Sequence, residues 1–319
     1  MPMRTHFVSF ISLFSWLTAT LIIYESSWAD QFTNGSQKIN MPDGSVYQGE
    51  LRNGLFNGRG VLYRRNGDKY DGEFRDGLFS GKGVFVQQNN TKYEGEYLDG
   101  RPSGKGALIY SHGDRYNGEF KNGLPDGMGI FVRADGEKYE GQFKEGEYNG
   151  KGVVLLPSGN KYEGEFINGR FNGRGTLLHV NGVKYQGDFT NGQQQGMGTL
   201  SSPDGDKYVG EFRDGQFNGH GFCCSPKGDR YEGEFTNGKF NGKGRLVYAD
   251  GCKYDGMFKG GKLNGKGIFV YPNGAQYDGM FKDNEFDGKG SYTYPSGRKE
   301  TGEFRAGKFI KETDVKKSR

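Results

Sequence analysis

Cysteine, histidine, tryptophan and proline are all scarce in this chain of 319 residues: three, four, two and nine of each. Three cysteines, at 223, 224 and 252, cannot supply the even, dense framework of a small disulfide-stapled domain or the paired ligands of a structural zinc site. A formal net charge of +4, from 43 basic and 39 acidic residues, lacks the concentrated basic excess of a nucleic-acid binder, so nucleic acid is not expected as a partner. So few prolines, with glycines spaced regularly rather than mixed with serine, exclude a disordered linker. What the chain does have is glycine, 58 residues, and rings, 20 Tyr and 25 Phe. Its hydrophobic stock is aromatic and set in a glycine-rich backbone.

Only one long run lacks charge. Residues 7–24, FVSFISLFSWLTATLIIY, follow the basic start MPMRTH and precede the small residues Ser27 and Ala29. This is the pattern of a signal peptide, residues 1–29, cut after Ala29. Arg4 and Glu25 leave together, so the exported chain keeps its net charge. A periplasmic, secreted or luminal location follows; left uncut, the run is long enough to anchor the chain in a membrane. At the other end, residues 310–319 form a polar, basic tail expected to be solvated.

A tyrosine recurs every 23 residues, at Tyr47, Tyr70, Tyr93, Tyr116, Tyr139, Tyr162, Tyr185, Tyr208, Tyr231, Tyr254 and Tyr277, without insertion or deletion. With each tyrosine as position 0, glycine stands at positions 2, 7, 11, 13 and 20, replaced only by Asn90 and Asn284. Position 4 is equally regular, with Phe74, Tyr97, Phe120, Phe143, Phe166, Phe189, Phe212 and Phe235 in successive repeats. Eleven complete repeats fill residues 47–299, and a partial one follows at 300–309, where Glu300 replaces the tyrosine while Gly302, Glu303, Phe304 and Gly307 persist. Residues 30–46 hold a lead-in and, in QKINMPDG, the second half of a repeat. Half-repeats at both ends are the caps a stacked array needs.

The pattern Y-x-G-E-F followed by x-x-G-x-x-x-G-x-G resembles the MORN family (membrane occupation and recognition nexus) over residues 37–309. Departures are Gln142, Asp188, Met257 and Met280 at the usual glutamate, and the missing tyrosine of the last repeat. The resemblance implies protein-protein or membrane-associated scaffolding, in some members beside an appended catalytic domain.

In an extended KYEGEF, alternate residues share a face: Tyr162, Gly164 and Phe166 on one side, Lys161, Glu163 and Glu165 on the other. A second apolar run follows the glycine at position 13, and Asn-Gly or Asp-Gly pairs separate the runs, the strongest short hairpin signal. The expected fold is all-β: an elongated, single-layer, twisted antiparallel meander of 23-residue β-hairpin MORN repeats, about 100 Å long at 4.7–4.9 Å per strand. Its core is expected in the rings Tyr70, Phe74, Tyr93, Tyr97, Tyr116, Phe120, Tyr139, Phe143, Tyr162, Phe166, Tyr185, Phe189, Tyr208, Phe212, Tyr231 and Phe235. Glycine at position 2 is expected to leave bare backbone for an aromatic from a neighbouring strand. Glycines at positions 7, 11 and 20 are expected to supply positive φ in turns, which explains asparagine as their substitute. A few buried rings per repeat cannot offset the backbone entropy of ordering 23 residues, so one repeat cannot fold alone.

Sites of chemistry are not found in this pattern. His112, His179 and His220 fall at unrelated repeat positions, so no spacing gathers them around a metal or beside a nucleophile. No Ser or Thr follows the lysine of the recurring Gly-Lys-Gly, which excludes a phosphate-binding P-loop. Carboxylate pairs such as Glu94 with Glu96 or Glu163 with Glu165 recur uniformly and read as a solvated charge ladder. Cys224 and Cys252 fall three strands apart in the meander, about 14 Å by strand spacing, too far to bridge, so no disulfide between them is expected.

The leading expectation is a non-catalytic scaffold or protein-binding module with no cofactor and a protein partner. Strand edges at the ends of the array also favour a homo-oligomer. The alternative is binding of anionic phospholipid head groups or another anionic polymer through the basic column Lys69, Lys92, Arg115, Lys138, Lys161, Lys184, Lys207, Arg230 and Lys253. Asp or Glu two residues beyond most of these cations leaves that face nearly neutral.

Overall fold

A computed structural model describes residues 34–310. The leader, the start of the lead-in and residues 311–319 of the tail lie outside the described residues. Twenty-five strands and no helix occupy the described chain. Strands of seven and nine residues alternate, as in Lys69–Arg75 and Leu78–Val86. The chain divides into two compact units, Met1–Phe171 and Asn172–Arg319. Within each unit consecutive strands pair antiparallel, so each is an all-β, single-layer meander.

Two kinds of turn make the meander. Asp76 and Gly77 both take positive φ, 50° and 83°, which is what a two-residue hairpin turn of the primed type requires. It brings Arg75 opposite Leu78. The other turn is a three-residue loop: the Arg64 N–H donates to the Asp68 carbonyl at 2.8 Å, the Gly67 N–H to the Arg64 carbonyl at 2.9 Å, and Gly67 has φ 91°. Asn90 and Asn284 replace turn glycines at φ 68° and 77°, values asparagine tolerates better than other side chains.

Glycine at position 11 does something different. At Gly81 (φ 56°) the hairpin register slips beyond Gly72, forming a β-bulge. The carboxylate at position 3 fills the bulge: Glu73 Oε1 accepts the Lys82 backbone N–H at 3.1 Å, and Glu211 Oε1 that of His220 at 3.0 Å.

The core is built on glycine pairs. Register places the glycine at position 2 opposite both neighbouring position-13 glycines, as Gly72 lies opposite Gly60 and Gly83. The ring above them is not an aromatic from another strand, as the sequence suggested, but the tyrosine two residues earlier on the same strand. A Cβ added at Gly83 would meet the Tyr70 ring at 2.6 Å. The ring lies flat because the Tyr70 hydroxyl donates to the Glu73 carbonyl at 2.9 Å, pulling it along its own strand. Each of the eleven tyrosines at position 0 makes this hydrogen bond, from Tyr47 to Glu50 through Tyr277 to Met280.

The ring's outer face is covered by position 9 where that residue is aromatic. Tyr70 stacks on Phe79 at 3.7 Å and Tyr139 on Tyr148 at 3.7 Å in the first unit; Tyr208 stacks on Phe217 at 3.8 Å and Tyr231 on Phe240 at 3.7 Å in the second. Position-4 rings from the same and the following repeat meet the tyrosine edge-on, as Phe212 and Phe235 meet Tyr208 at 5.1 and 5.0 Å. Edge-to-face is a favourable geometry for rings, and the near-parallel position-9 ring shields the tyrosine's outer face from water. Repeats are also tied through their turns: the Gly77 N–H donates to the Phe56 carbonyl at 2.9 Å, and the Gln88 N–H to Asp68 Oδ1 at 3.0 Å.

Half-repeats follow the same rules. Gly35–Asn40 pairs with Val46–Arg52 in the regular register. In the last repeat Lys308–Ile310 returns against Lys299–Arg305. Glu300 supplies no ring there, and Phe309 moves onto Gly302 instead, 3.0 Å from where a Cβ would stand.

Candidate binding surface

Strand alternation gives each unit one aromatic face and one solvent face. The sixteen rings named from the sequence all lie on the aromatic face and are at most 4% exposed. They are therefore consumed by packing. Burial pushes the tyrosine hydroxyls up, to about 12 at Tyr185, Tyr208, Tyr254 and Tyr277 and further at Tyr70, Tyr93 and Tyr139, so the phenols are neutral donors and not acid-base groups at neutral pH.

The solvent face carries what remains. Repeat positions 12, 14 and 16 present Met128, Ile130, Val132, Ile109 and Leu155 in the first unit, and Met197, Leu178, Phe222 and Ile268 in the second, all exposed. The residue before each tyrosine lies on this face too. Lys69, Lys92, Lys138 and Lys161 pair there with the carboxylate two residues on: Asp71 at 3.3 Å, Glu94 at 2.7 Å, Glu140 at 3.6 Å and Glu163 at 3.4 Å. Arg115, Lys184, Lys207, Arg230 and Lys253 are exposed and occupy the same repeat position on other strands. The column is a series of cations alternating with apolar side chains and carboxylates, not one basic patch.

Other candidate groups stand apart. Cys223, Cys224 and Cys252 are free thiols. Cys224 ends the strand Gln216–Cys224, and Cys252 sits in the turn before Lys253–Lys259. Burial pushes the Cys223 thiol up to about 11, which leaves it protonated and unreactive at neutral pH. His112 Nε2 lies 3.0 Å from Asp114 Oδ2. Among the described residues, no cluster of three or more His, Cys, Asp or Glu could hold a metal ion.

Three features escaped the sequence reading. Position 6 takes positive φ throughout, mostly as Asn or Asp but also as Glu145 and Ala306; the Asn-Gly and Asp-Gly pairs were its signal. The position-9 ring as lid on the tyrosine and the position-3 carboxylate as bulge partner were the others. The fixed spacing of Glu at 3 and Gly at 11 would have revealed the last.

The MORN repeat profile matches eleven consecutive segments, from residues 47–69 through 277–297. No curated protein matches the chain. Among solved structures it is similar to the SAS-4 (dCPAP) TCP domain of Drosophila melanogaster in complex with a proline-rich motif of Ana2 (dSTIL), at 12% identity over 56% of this chain and 90% of that one, with a TM-score of 0.32. It is similar to the TCP10c domain of Drosophila melanogaster Sas-4 at 13% identity, over 56% and 99%, with a TM-score of 0.29. For the wild-type TCP10 domain of Danio rerio CPAP the values are 12%, 75%, 95% and 0.23. TM-scores this low carry no argument about function.

Proposed function

The chain belongs to the MORN repeat family, and on that premise we propose that it is a non-catalytic, exported scaffold that takes a protein partner along the solvent face of its repeats. One observation carries this reading: the aromatic face spends its side chains on the core, while nearly every exposed large hydrophobic side chain, Val180 in a turn excepted, belongs to the opposite face. Aliphatic and Met side chains interspersed with charges are the composition of a protein interface, apolar contacts within a polar surround. Repetition at 23-residue intervals suits a partner that is extended or itself repetitive.

The anionic-lipid reading is less well supported. Lipid head groups are held by concentrated positive charge, and here Lys69, Lys92, Lys138 and Lys161, four of the nine cations, pair along their own strands with carboxylates. Such exposed pairs contribute little stability, but they cancel the local potential.

Replacing Ile109, Ile130 and Leu155 by lysine removes apolar area from the solvent face and leaves the aromatic face alone. Proximity cross-linking in the native cell, with unaltered and triple-variant chains compared, should lose its partner in the variant at unchanged circular dichroism. An identical cross-linking pattern from both chains overturns the reading. Salt-sensitive sedimentation of the unaltered chain with phosphatidylserine vesicles would put the lipid reading in its place. N-terminal sequencing of chain from its host tests export: a mature start after Ala29 is expected, and a start at Met1 contradicts cleavage.

A further inference from the structure

The bulge of each hairpin offers a backbone N–H to the side chain at position 3. At Glu50, Glu73, Gln142, Asp188 and Glu234 the side-chain oxygen accepts the N–H nine residues on, at 3.0 to 3.3 Å. Gln142 shows that negative charge is not needed for this contact. A neutral oxygen at the same reach is enough.

Two adjacent repeats of the second unit depart from the rule. Met257 and Met280 stand at position 3, and both hairpins keep the bulge, the register slipping between Gly256 and Phe258 and between Gly279 and Phe281. Of Met257 only Cβ and Cγ come within 4 Å of where a Cβ at Gly265 would stand, at 3.2 and 3.6 Å. Of Met280 the same two atoms approach Gly288, at 3.1 and 3.5 Å. The sulfurs lie outside the bulge, and among the described residues no side chain accepts the N–H of Lys266 or Lys289. Each methionine is 42% exposed, open to a small oxidant. Lys243 lies opposite Met257 and Lys266 opposite Met280 on the neighbouring strand, so a cation flanks each site.

We propose that Met257 and Met280 are oxidation sites whose sulfoxides complete the bulge: a peroxide places one oxygen on each sulfur, and that oxygen accepts the Lys266 or the Lys289 N–H. The step is a two-electron oxidation of sulfur. A sulfur lone pair attacks one oxygen of hydrogen peroxide, the O–O bond breaks as the S–O bond forms, and the displaced hydroxide takes the proton left on the new oxygen and departs as water. Sulfur is oxidised and the peroxide is reduced. The product is built like glutamine: sulfur replaces Cδ, the new oxygen replaces Oε1 and the methyl group replaces the amide nitrogen. Its oxygen stands the same number of bonds from the backbone as the Oε1 with which Gln142 accepts the Lys151 N–H at 3.0 Å.

Methionine oxidation disrupts a fold where it puts a polar group into an apolar core. Here the thioether leaves no core, and the new oxygen gains a donor, so the sign of the effect is reversed. Met128 and Met197 make the contrast. Both are exposed but stand at position 12, where Glu119 and Asp188 already accept their N–H, so their sulfoxides complete nothing. Reversible reduction of the sulfoxide makes the two bulges a redox-responsive element. This inference goes beyond the scaffold reading and does not depend on it.

The test uses the full chain carrying Met128→Lys and Met197→Lys, lysine being the residue at that position in Lys82 and Lys105, treated with hydrogen peroxide and mapped by peptide mass spectrometry. Met257 and Met280 should oxidise and the urea midpoint should rise. Amide exchange at Lys266 and Lys289 should slow about tenfold, the effect of one added hydrogen bond, and methionine sulfoxide reductase should undo both changes. Met257→Gln with Met280→Gln should raise the midpoint without peroxide, and Met257→Leu with Met280→Leu should abolish the response to it. A midpoint that falls or stays constant on oxidation overturns the proposal. So does unchanged exchange at the two lysines, or peroxide treatment that leaves both methionines unmodified.

Discussion

Gly72 and Gly83 oppose each other across neighbouring strands with no room for a methyl group: a Cβ at Gly72 would stand 2.5 Å from the Gly83 Cα. The obstacle is backbone and cannot swing away. Gly72→Ala should cost about 3 kcal/mol, the upper range for overpacking a tight site, read as a lowered urea midpoint.

Gly77, in the two-residue turn, makes the contrast. Its φ is 83° and nothing lies within 4 Å of its Cβ position, so only the left-handed backbone penalises a side chain. Gly77→Ala should cost about 1 to 2 kcal/mol, and Gly77→Asn less than Gly77→Ala, because Asn284 holds the same repeat position at φ 77°.

The bulge carboxylate gives a third prediction. Glu211→Ala leaves the His220 N–H without its 3.0 Å acceptor and should cost about 1 to 2 kcal/mol. Glu211→Gln should be nearly neutral. Met257 and Met280 already lack a carboxylate at this position, so the bulge contributes to stability without being indispensable, and a total loss of folding in Glu211→Ala would contradict this assignment.

Alkaline pH should unfold the protein. The ordinary tyrosine value of 10.0 is raised in the folded chain by burial, to about 12 at Tyr254 and Tyr277. Between those values the folded state holds protons that the unfolded state has released, so stability is at its full value below pH 10 and is lost as pH rises toward 12. Urea midpoints should be flat up to about pH 10 and fall above it, and tyrosinate absorbance should appear together with unfolding. Tyrosinate appearing at the ordinary pH in a chain that stays folded would show that the rings are not desolvated.

Much of this fold was legible because its determinants are local. Asp76-Gly77 announces its turn in two letters, and the alternation in KYEGEF assigns Tyr162 and Phe166 to one face without reference to any other strand. The lodging of Tyr70 was not legible, because it depends on a register that brings Gly83, eleven residues beyond Gly72, to the opposite strand. Periodicity shows that glycine recurs at positions 2 and 13; only the pairing shows that they are one feature. The same holds for Glu73 and Lys82: a carboxylate two residues from Asp71 reads as part of a solvated ladder until the bulge brings an N–H to it. The basic column was legible as residues but not as a surface, since the exposed Ile109, Val132 and Leu155 between its members count as core-type residues in a sequence.

A double-mutant cycle at Tyr139 and Gly152 tests most directly whether ring and bare backbone form one device. The three atoms nearest a Cβ at Gly152 all belong to the Tyr139 side chain, its hydroxyl and two ring carbons, at 2.5 to 2.6 Å. Gly152→Ala should cost about 3 kcal/mol in the unaltered chain but under about 1 kcal/mol once Tyr139→Ala has removed the ring, a coupling of at least about 2 kcal/mol. Equal costs in both backgrounds would mean that the tyrosine does not need the glycine, and the account of how these repeats are built would be wrong.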